Sequence, residues 1–102
     1  LELAPGELEA ENHLAVARFH LADYRGAAGA WEHVLARAQA RATELPDPVP
    51  LNLAKAWRLA GEAGKARAVL SALLDREPEG PLSESARELL VVLEAEALAE
   101  RK

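Results

Sequence analysis

The chain has 102 residues, of which 50% are hydrophobic but only 4% aromatic, with a net charge of −5 and no cysteine. This length builds one small domain, and its many Ala and Leu residues favour packed helices over a β-sheet. The acidic balance argues against a general nucleic-acid binder, and the absence of cysteine excludes disulfides and thiolate metal sites. No apolar run reaches the roughly 18 residues of a membrane span. We therefore expect a soluble all-α protein. The cytoplasm is the default compartment, but the compartment stays open, because the chain begins at Leu1 without a methionine and a targeting segment could have been removed.

The first half of the chain predicts two helices. Residues 1–6 have the pattern of a helix end, since Pro5 and Gly6 are helix breakers. A helix then runs from about Glu7 to Ala22, and a second begins after Asp23, whose carboxylate serves as N-cap. Two glycines within the second helix, at positions 26 and 29, cost about 1 kcal/mol each in a helix interior. We expect them to let paired helices approach closely.

The second half predicts three more helices, separated by proline-rich breaks. Prolines 46, 48 and 50 end the second helix and open the third, because proline is tolerated only in the first helical turn. The third helix is predicted from Pro48 to about Ala60 with Asp47 as N-cap, the fourth from residue 62 or 63 to about Arg76, and the last from Ser83, also a cap, to residue 100.

Residues 14–35 are echoed by residues 53–74 at a constant offset of 39 residues. Each copy contains two amphipathic helices, and such a pair cannot bury its apolar face alone. We therefore predict two helix pairs stacked side by side, residues 7–45 and 46–80, with Trp31 and Trp57 facing inward. The matched positions are Leu14-Ala15 with Leu53-Ala54, Ala27 with Ala66, Trp31 with Leu70, and Val34-Leu35 with Leu73-Leu74.

These landmarks resemble the tetratricopeptide repeat family. The second copy supplies most of the family pattern, namely Leu53-Ala54, Trp57, Ala66, Leu70 and Pro78. The first copy departs from it, with Arg18 where an aromatic residue is usual and a period of 39 rather than about 34 residues. The resemblance implies a right-handed α-α superhelix in which residues 1–6 are the tail of a preceding repeat and residues 81–102 form a capping helix.

The resemblance also implies a function, because the first helix of each repeat in that family lines a concave groove that binds a peptide or protein segment. The chain would then be an interaction scaffold without catalysis or cofactor. Amide and basic groups in the groove would donate to a peptide backbone or carboxylate, and Phe19 would be an apolar anchor. In the competing interpretation, Lys55 and Arg58 form only a solvated helix face. Matched to the family, the groove residues are Asn12, His13, Val16, Phe19, His20, Asn52, Lys55 and Arg58.

Other site chemistries are not indicated. The family's clamp for chaperone C-termini needs a Lys and an Asn where this chain has Asn12 and Val16, so chaperone-tail recognition is not expected. His13 and His20 lie about 10 Å apart along a helix, too far to share one metal ion. The sequence shows no spacing of Ser, His and Asp for nucleophilic catalysis and no phosphate-binding loop. We therefore predict neither a metal site nor an enzyme.

Five consecutive apolar residues, 89–93, occupy the last helix. A helix that is apolar all round is normally buried on more than one side. There are three alternatives for its outer face. It packs against a further repeat, it packs against a symmetric copy in a homodimer, or it is exposed as part of a loose cap. Self-association is therefore the second functional hypothesis, and its candidate residues are Leu89, Val91, Val92 and Leu93.

Overall fold

The computed structural model describes residues 5–41 and 48–100, and this part of the chain is built from helices joined by short turns. The predicted all-α class is confirmed. Each helix packs on the next along the chain, and the last also contacts the third. The helices are α1 (Pro5–His20), α2 (Tyr24–Arg41), α3 (Val49–Leu59), α4 (Ala63–Arg76) and α5 (Ser83–Glu100).

The two helix pairs, α1–α2 and α3–α4, are closed by the same backbone motif. The N–H groups of Asp23 and Glu62 donate back to the last turns of α1 and α3, over 2.8 Å in both cases. The residues before them, Ala22 and Gly61, have φ angles of 63° and 85°. A left-handed residue followed by such a bond is the Schellman motif, which satisfies carbonyls at a helix C-terminus. The offset of 39 residues is therefore present in the backbone as well as in the sequence.

The start of α1 differs from the prediction. Pro5 and Gly6 form its first turn instead of ending an earlier helix, and residues 1–4 of the predicted repeat tail lie outside the described residues. Proline is well suited to a first turn, where N–H groups have no intrahelical partner. The helix ends at His20 rather than at Ala22, because the left-handed backbone at Ala22 stops it.

The predicted caps have different outcomes. Asp23 is confirmed as the cap of α2, since its Oδ1 accepts the Gly26 N–H at 3.0 Å. The predicted cap Asp47 lies outside the described residues, and Pro48 is the residue that directly precedes α3. The prediction that Ser83 caps α5 is corrected. It is the first residue of α5, and its buried hydroxyl accepts the Gly80 N–H at 2.8 Å and donates to a carbonyl of the preceding loop. It therefore holds the loop rather than capping the helix.

The glycines of α2 do not serve close helix packing. A Cβ added at Gly29 would have no heavy atom within 4 Å, and the residue is exposed. A Cβ at Gly26 would lie 2.2 Å from the Asp23 carboxylate. The prediction of a tight helix contact is therefore wrong at Gly29, and at Gly26 the three nearest atoms all belong to the capping side chain of Asp23 and not to a neighbouring helix.

The core follows the repeat. The predicted inward orientation of the tryptophans is confirmed, with Trp31 2% and Trp57 6% exposed. Burial of such a side chain contributes about 1.5–3 kcal/mol or more. Leu14 breaks the equivalence, since it is 47% exposed while Leu53 is buried. The equivalent pairs that are buried in both copies are Ala15 and Ala54, Ala27 and Ala66, Trp31 and Leu70, and Val34 and Leu73.

Candidate functional site

Asn12 belongs to the core and not to a groove. It is 1% exposed, and its Oδ1 accepts the indole N–H of Trp31 at 2.7 Å. A buried tryptophan N–H usually has such an acceptor, and Asn12 lies on the α1 face that carries the buried residues Leu8 and Ala15. Its equivalent 39 residues later is the buried Leu51. The prediction that Asn12 lines a binding groove is therefore corrected, because the side chain is used to satisfy Trp31.

Phe19 forms the edge of an aromatic cluster at the closed end of the first helix pair. Its ring lies 5.2 Å from the ring of Tyr24, 5.9 Å from that of Trp31 and 6.4 Å from that of His20. The Tyr24 and His20 contacts are edge-to-face, a favoured aromatic geometry. Phe19 is half-buried and packs on the core, so only part of its ring can contact a ligand.

The other α1 positions differ in exposure. His13 and His20 are exposed, whereas Val16 is half-buried and packs against the core. The structure therefore leaves two imidazoles and parts of two apolar side chains on this helix for contact with a partner.

Arg58 is held by a carboxylate of α5. Its Nε donates to Glu96 Oε1 at 3.0 Å and its Nη2 to Glu96 Oε2 at 2.7 Å. This bidentate hydrogen bonding raises the pKa of Arg58 and lowers that of Glu96 below its usual 4.5. The sequence prediction missed Glu96, because 38 residues separate the two and only the packing of α5 on α3 brings them together.

A groove lies beside this ion pair. It has a volume of about 420 Å³ and is lined by the end of α3, the turn into α4 and one side of α5. Lys55, one turn before Arg58, is exposed, and Asn52 is half-buried. The predicted α3 residues therefore lie on one helix face that ends at the groove. The lining residues include Arg58, Gly61, Ala63, Leu93, Glu96 and Glu100.

A second arginine joins the two closing turns. Arg25, at the start of α2, donates to Glu62 Oε2 at 2.9 Å and to the Ala60 carbonyl at 3.3 Å. The hydrogen bond from Arg25 lowers the pKa of Glu62 below its usual 4.5. The pair is solvent-exposed, so its contribution to stability is small, but it sets the two turns side by side. This contact was not predicted from the sequence.

The predicted self-association residues separate into two sets. Leu93 is buried and Leu89 is half-buried against the core, so the expectation that they form an outer surface is corrected. They face inward because α5 packs on α4 and α3. Val91 and Val92 remain exposed, and Val91 is 66% exposed.

In residues 5–41 and 48–100 no three His, Asp or Glu side chains converge as a ligand set for a metal ion. None of the helices that the structure describes is both long and apolar enough to cross a bilayer.

Comparisons with known proteins identify no family for this chain. The chain matches no protein-family model, no curated protein and no solved structure. The class that the structure establishes is therefore the all-α class, with two helix pairs followed by a fifth helix in residues 5–41 and 48–100.

Proposed function

We propose that this chain is a protein-interaction scaffold of the tetratricopeptide type, which binds a peptide or protein segment and carries out no catalysis. The observation that carries the proposal is the repeated hairpin, with identical closing motifs and equivalent buried positions 39 residues apart. Stacked hairpins of this kind present extended helix faces as binding surfaces. In this proposal the stack has the right-handed superhelical twist of that family, with α5 as its cap.

The proposed binding surface is the face of α3 that carries Asn52, Lys55 and Arg58 and continues into the groove beside α5. Its chemistry favours a ligand with carboxylates. Lys55 is an exposed cation, and the Arg58 guanidinium already holds one carboxylate in bidentate geometry. A planar guanidinium recognises any carboxylate in the same way. An acidic side chain of the ligand would therefore exchange with Glu96.

The faces of α1 would extend this surface with exposed imidazoles and an apolar edge. His13 and His20 are exposed, and the half-buried Phe19 and Val16 offer limited apolar contact. We expect them to contribute less than the α3 residues, because the aromatic cluster already uses much of the Phe19 ring. Asn12 has no place in the surface.

Selection from a random peptide library on the purified domain tests the proposal. We expect the selected peptides to be enriched in Asp and Glu. Their affinity should fall by about tenfold or more in the variant Lys55→Glu/Arg58→Glu, since losing a charged hydrogen bond costs about 1.5–3 kcal/mol. The matched control is Arg67→Glu/Arg76→Glu, which makes the same change in net charge at exposed positions on α4. Equal loss of affinity in both variants, or no enrichment of acidic peptides, would contradict the proposal.

Self-association is the second candidate function, and the exposure of Val91 and Val92 on α5 favours it. A symmetric contact through α5 predicts different effects for substitutions on α5 and on α1. Substitution at Val91 should abolish any dimer, whereas substitutions on α1 should leave the dimer intact.

A further inference from the structure

Helix α1 carries a second apolar stripe on the side away from the core. Its residues are spaced four, three and four apart, and all of them are exposed. Leu21, the turn residue directly after α1, is 80% exposed and still donates its N–H to the Ala17 carbonyl at 3.1 Å, so the stripe continues one residue past the helix. In the described part of the chain, α2 is the one helix against which α1 packs extensively. The stripe consists of Ala10, Leu14, Ala17 and Leu21.

Helix α5, at the other end of the stack, has a matching stripe. Val91, Ala95 and Leu98 are spaced four and three apart and are exposed, Leu98 by 60%. At about 100° per residue they lie on the side of the helix opposite the buried Ala86 and Leu93. Both outer helices of the stack therefore present apolar residues with the spacing that lets two helices pack knobs into holes.

The two stripes fit one another in antiparallel orientation. In one register, Leu14 lies opposite Leu98, Ala17 opposite Ala95, and Leu21 opposite Val91. These three pairs form three consecutive layers of the contact. An Ala–Ala layer between two layers of larger residues allows the helix backbones to approach closely without leaving a gap.

The charges beside the stripes also distinguish one helix from the other. The last turn of α1 is basic, with Arg18 and His20, whereas α5 has exposed acidic residues at Glu84, Glu88 and Glu94. In the register above, Arg18 lies level with Glu94 in the middle of α5, so an opposite charge stands beside the apolar contact, whereas Glu84 and Glu88 lie beyond the end of α1. The antiparallel orientation also sets the two helix dipoles in opposite directions. Two copies of α5 packed on each other would instead bring carboxylates together.

We infer that α1 of one copy docks antiparallel on α5 of a second copy, so that the chain associates head to tail. Such a contact is heterologous, and it leaves one free α1 and one free α5 on every open oligomer. It therefore adds further copies until the rotation between copies closes a ring, unlike a symmetric dimer, which is complete with two copies. The apolar stripes share no residue with the proposed peptide-binding surface, so either proposal can fail without the other.

Two blocked variants test the inference. One is Leu14→Glu/Leu21→Glu, which blocks α1, and the other is Val91→Glu/Leu98→Glu, which blocks α5. All four residues are exposed, so both variants should retain the helical circular dichroism of the unmodified chain. Sedimentation velocity from about 10 to 1,000 μM covers the dissociation constants of weak contacts between proteins. We expect the unmodified chain to increase in mass with concentration, each variant to stay monomeric, and their equimolar mixture to form a heterodimer.

The mixture is decisive because each variant retains the stripe that the other needs. A symmetric α5 contact would instead make the α1-blocked variant dimerise alone. Dimerisation of the α1-blocked variant alone would overturn the inference. So would an unmodified chain that stays monomeric at about 1,000 μM, or a mixture that stays monomeric, because this concentration is on the order of the dissociation constants of weak specific contacts. Leu59→Glu is the control, since Leu59 is an exposed leucine on α3 and its substitution should leave the association unchanged.

Discussion

The turn at Ala22 offers the sharpest test of the repeated hairpin. Ala22 has a φ of 63°, and its equivalent Gly61 has a φ of 85°. Left-handed backbone costs a non-glycine residue about 1–2 kcal/mol, whereas glycine adopts it freely. Replacing Ala22 by Gly removes that cost but adds about 0.4–1 kcal/mol of unfolded-state freedom. We expect Ala22→Gly to raise the free energy of unfolding by about 0.5–1 kcal/mol.

The reciprocal change at the second hairpin should have the opposite sign. A Cβ at Gly61 would have no heavy atom within 4 Å, so Gly61→Ala introduces backbone strain without a clash. We expect it to lower the free energy of unfolding by about 0.5–1 kcal/mol. Gly29→Ala is the control, because the same atoms are added in open space within a helix. It should raise the free energy of unfolding by about 1 kcal/mol.

Urea unfolding followed by circular dichroism measures all three variants, with equal m values as the condition for comparing them. In thermal unfolding, 1 kcal/mol corresponds to about 4–8 °C for a domain of 60–100 residues. A lower stability of Ala22→Gly, or a higher stability of Gly61→Ala, would refute the assignment of both turns to the same left-handed motif.

Three further predictions concern the core and the ion pairs. Trp31→Phe should cost about 1 kcal/mol more than Trp57→Phe in urea unfolding, because Trp31 donates to Asn12 while the buried Trp57 Nε1 has no partner among the described residues. Leu53→Ala should cost about 2–5 kcal/mol, whereas Leu14→Ala should stay within about 0.5 kcal/mol, since Leu53 is buried and Leu14 is 47% exposed. The pKa values of Glu62 and Glu96 are lowered from 4.5 by Arg25 and Arg58, so each pair stabilises the fold above this pH and loses its effect as the pH falls through the lowered value. In a carboxyl NMR titration, Arg58→Ala should return Glu96 to the usual range and leave Glu62 unchanged, and a shift of both would contradict the separate pairing.

Helix positions were largely predictable because their signals are local. The bounds of α4 and α5 agree with the predictions, since glycine and proline breaks flank α4 and precede α5, and apolar residues recur at helical spacing. The error at Pro5 arises because proline both ends helices and begins them. The family pattern, which places a closing proline at this phase, favoured a helix end at Pro5, whereas the assignment of the residues before it to a repeat tail stays a prediction.

The candidate site was less predictable, because its decisive contacts join residues distant in sequence. Asn12 was assigned to a groove by its position in the family pattern, although the offset of 39 residues aligns it with the apolar Leu51. That alignment, together with the need of a buried indole N–H for an acceptor, is the signal that could have placed Asn12 in the core. No comparable local signal links Arg58 to Glu96 or Arg25 to Glu62.

The contrast between Leu14 and Leu53 links the repeat to the proposed association. Both occupy the same position in their hairpins, yet Leu53 is buried and Leu14 is exposed. The difference lies in their neighbours, since α3 packs on α2, α4 and α5, whereas α1 has extensive packing only with α2 in the described part of the chain. Leu53 is buried because α3 has neighbouring helices on more than one side. Leu14, at the equivalent position, is suited to burial in the same way. A helix docked on α1 would give Leu14 the surroundings that Leu53 already has.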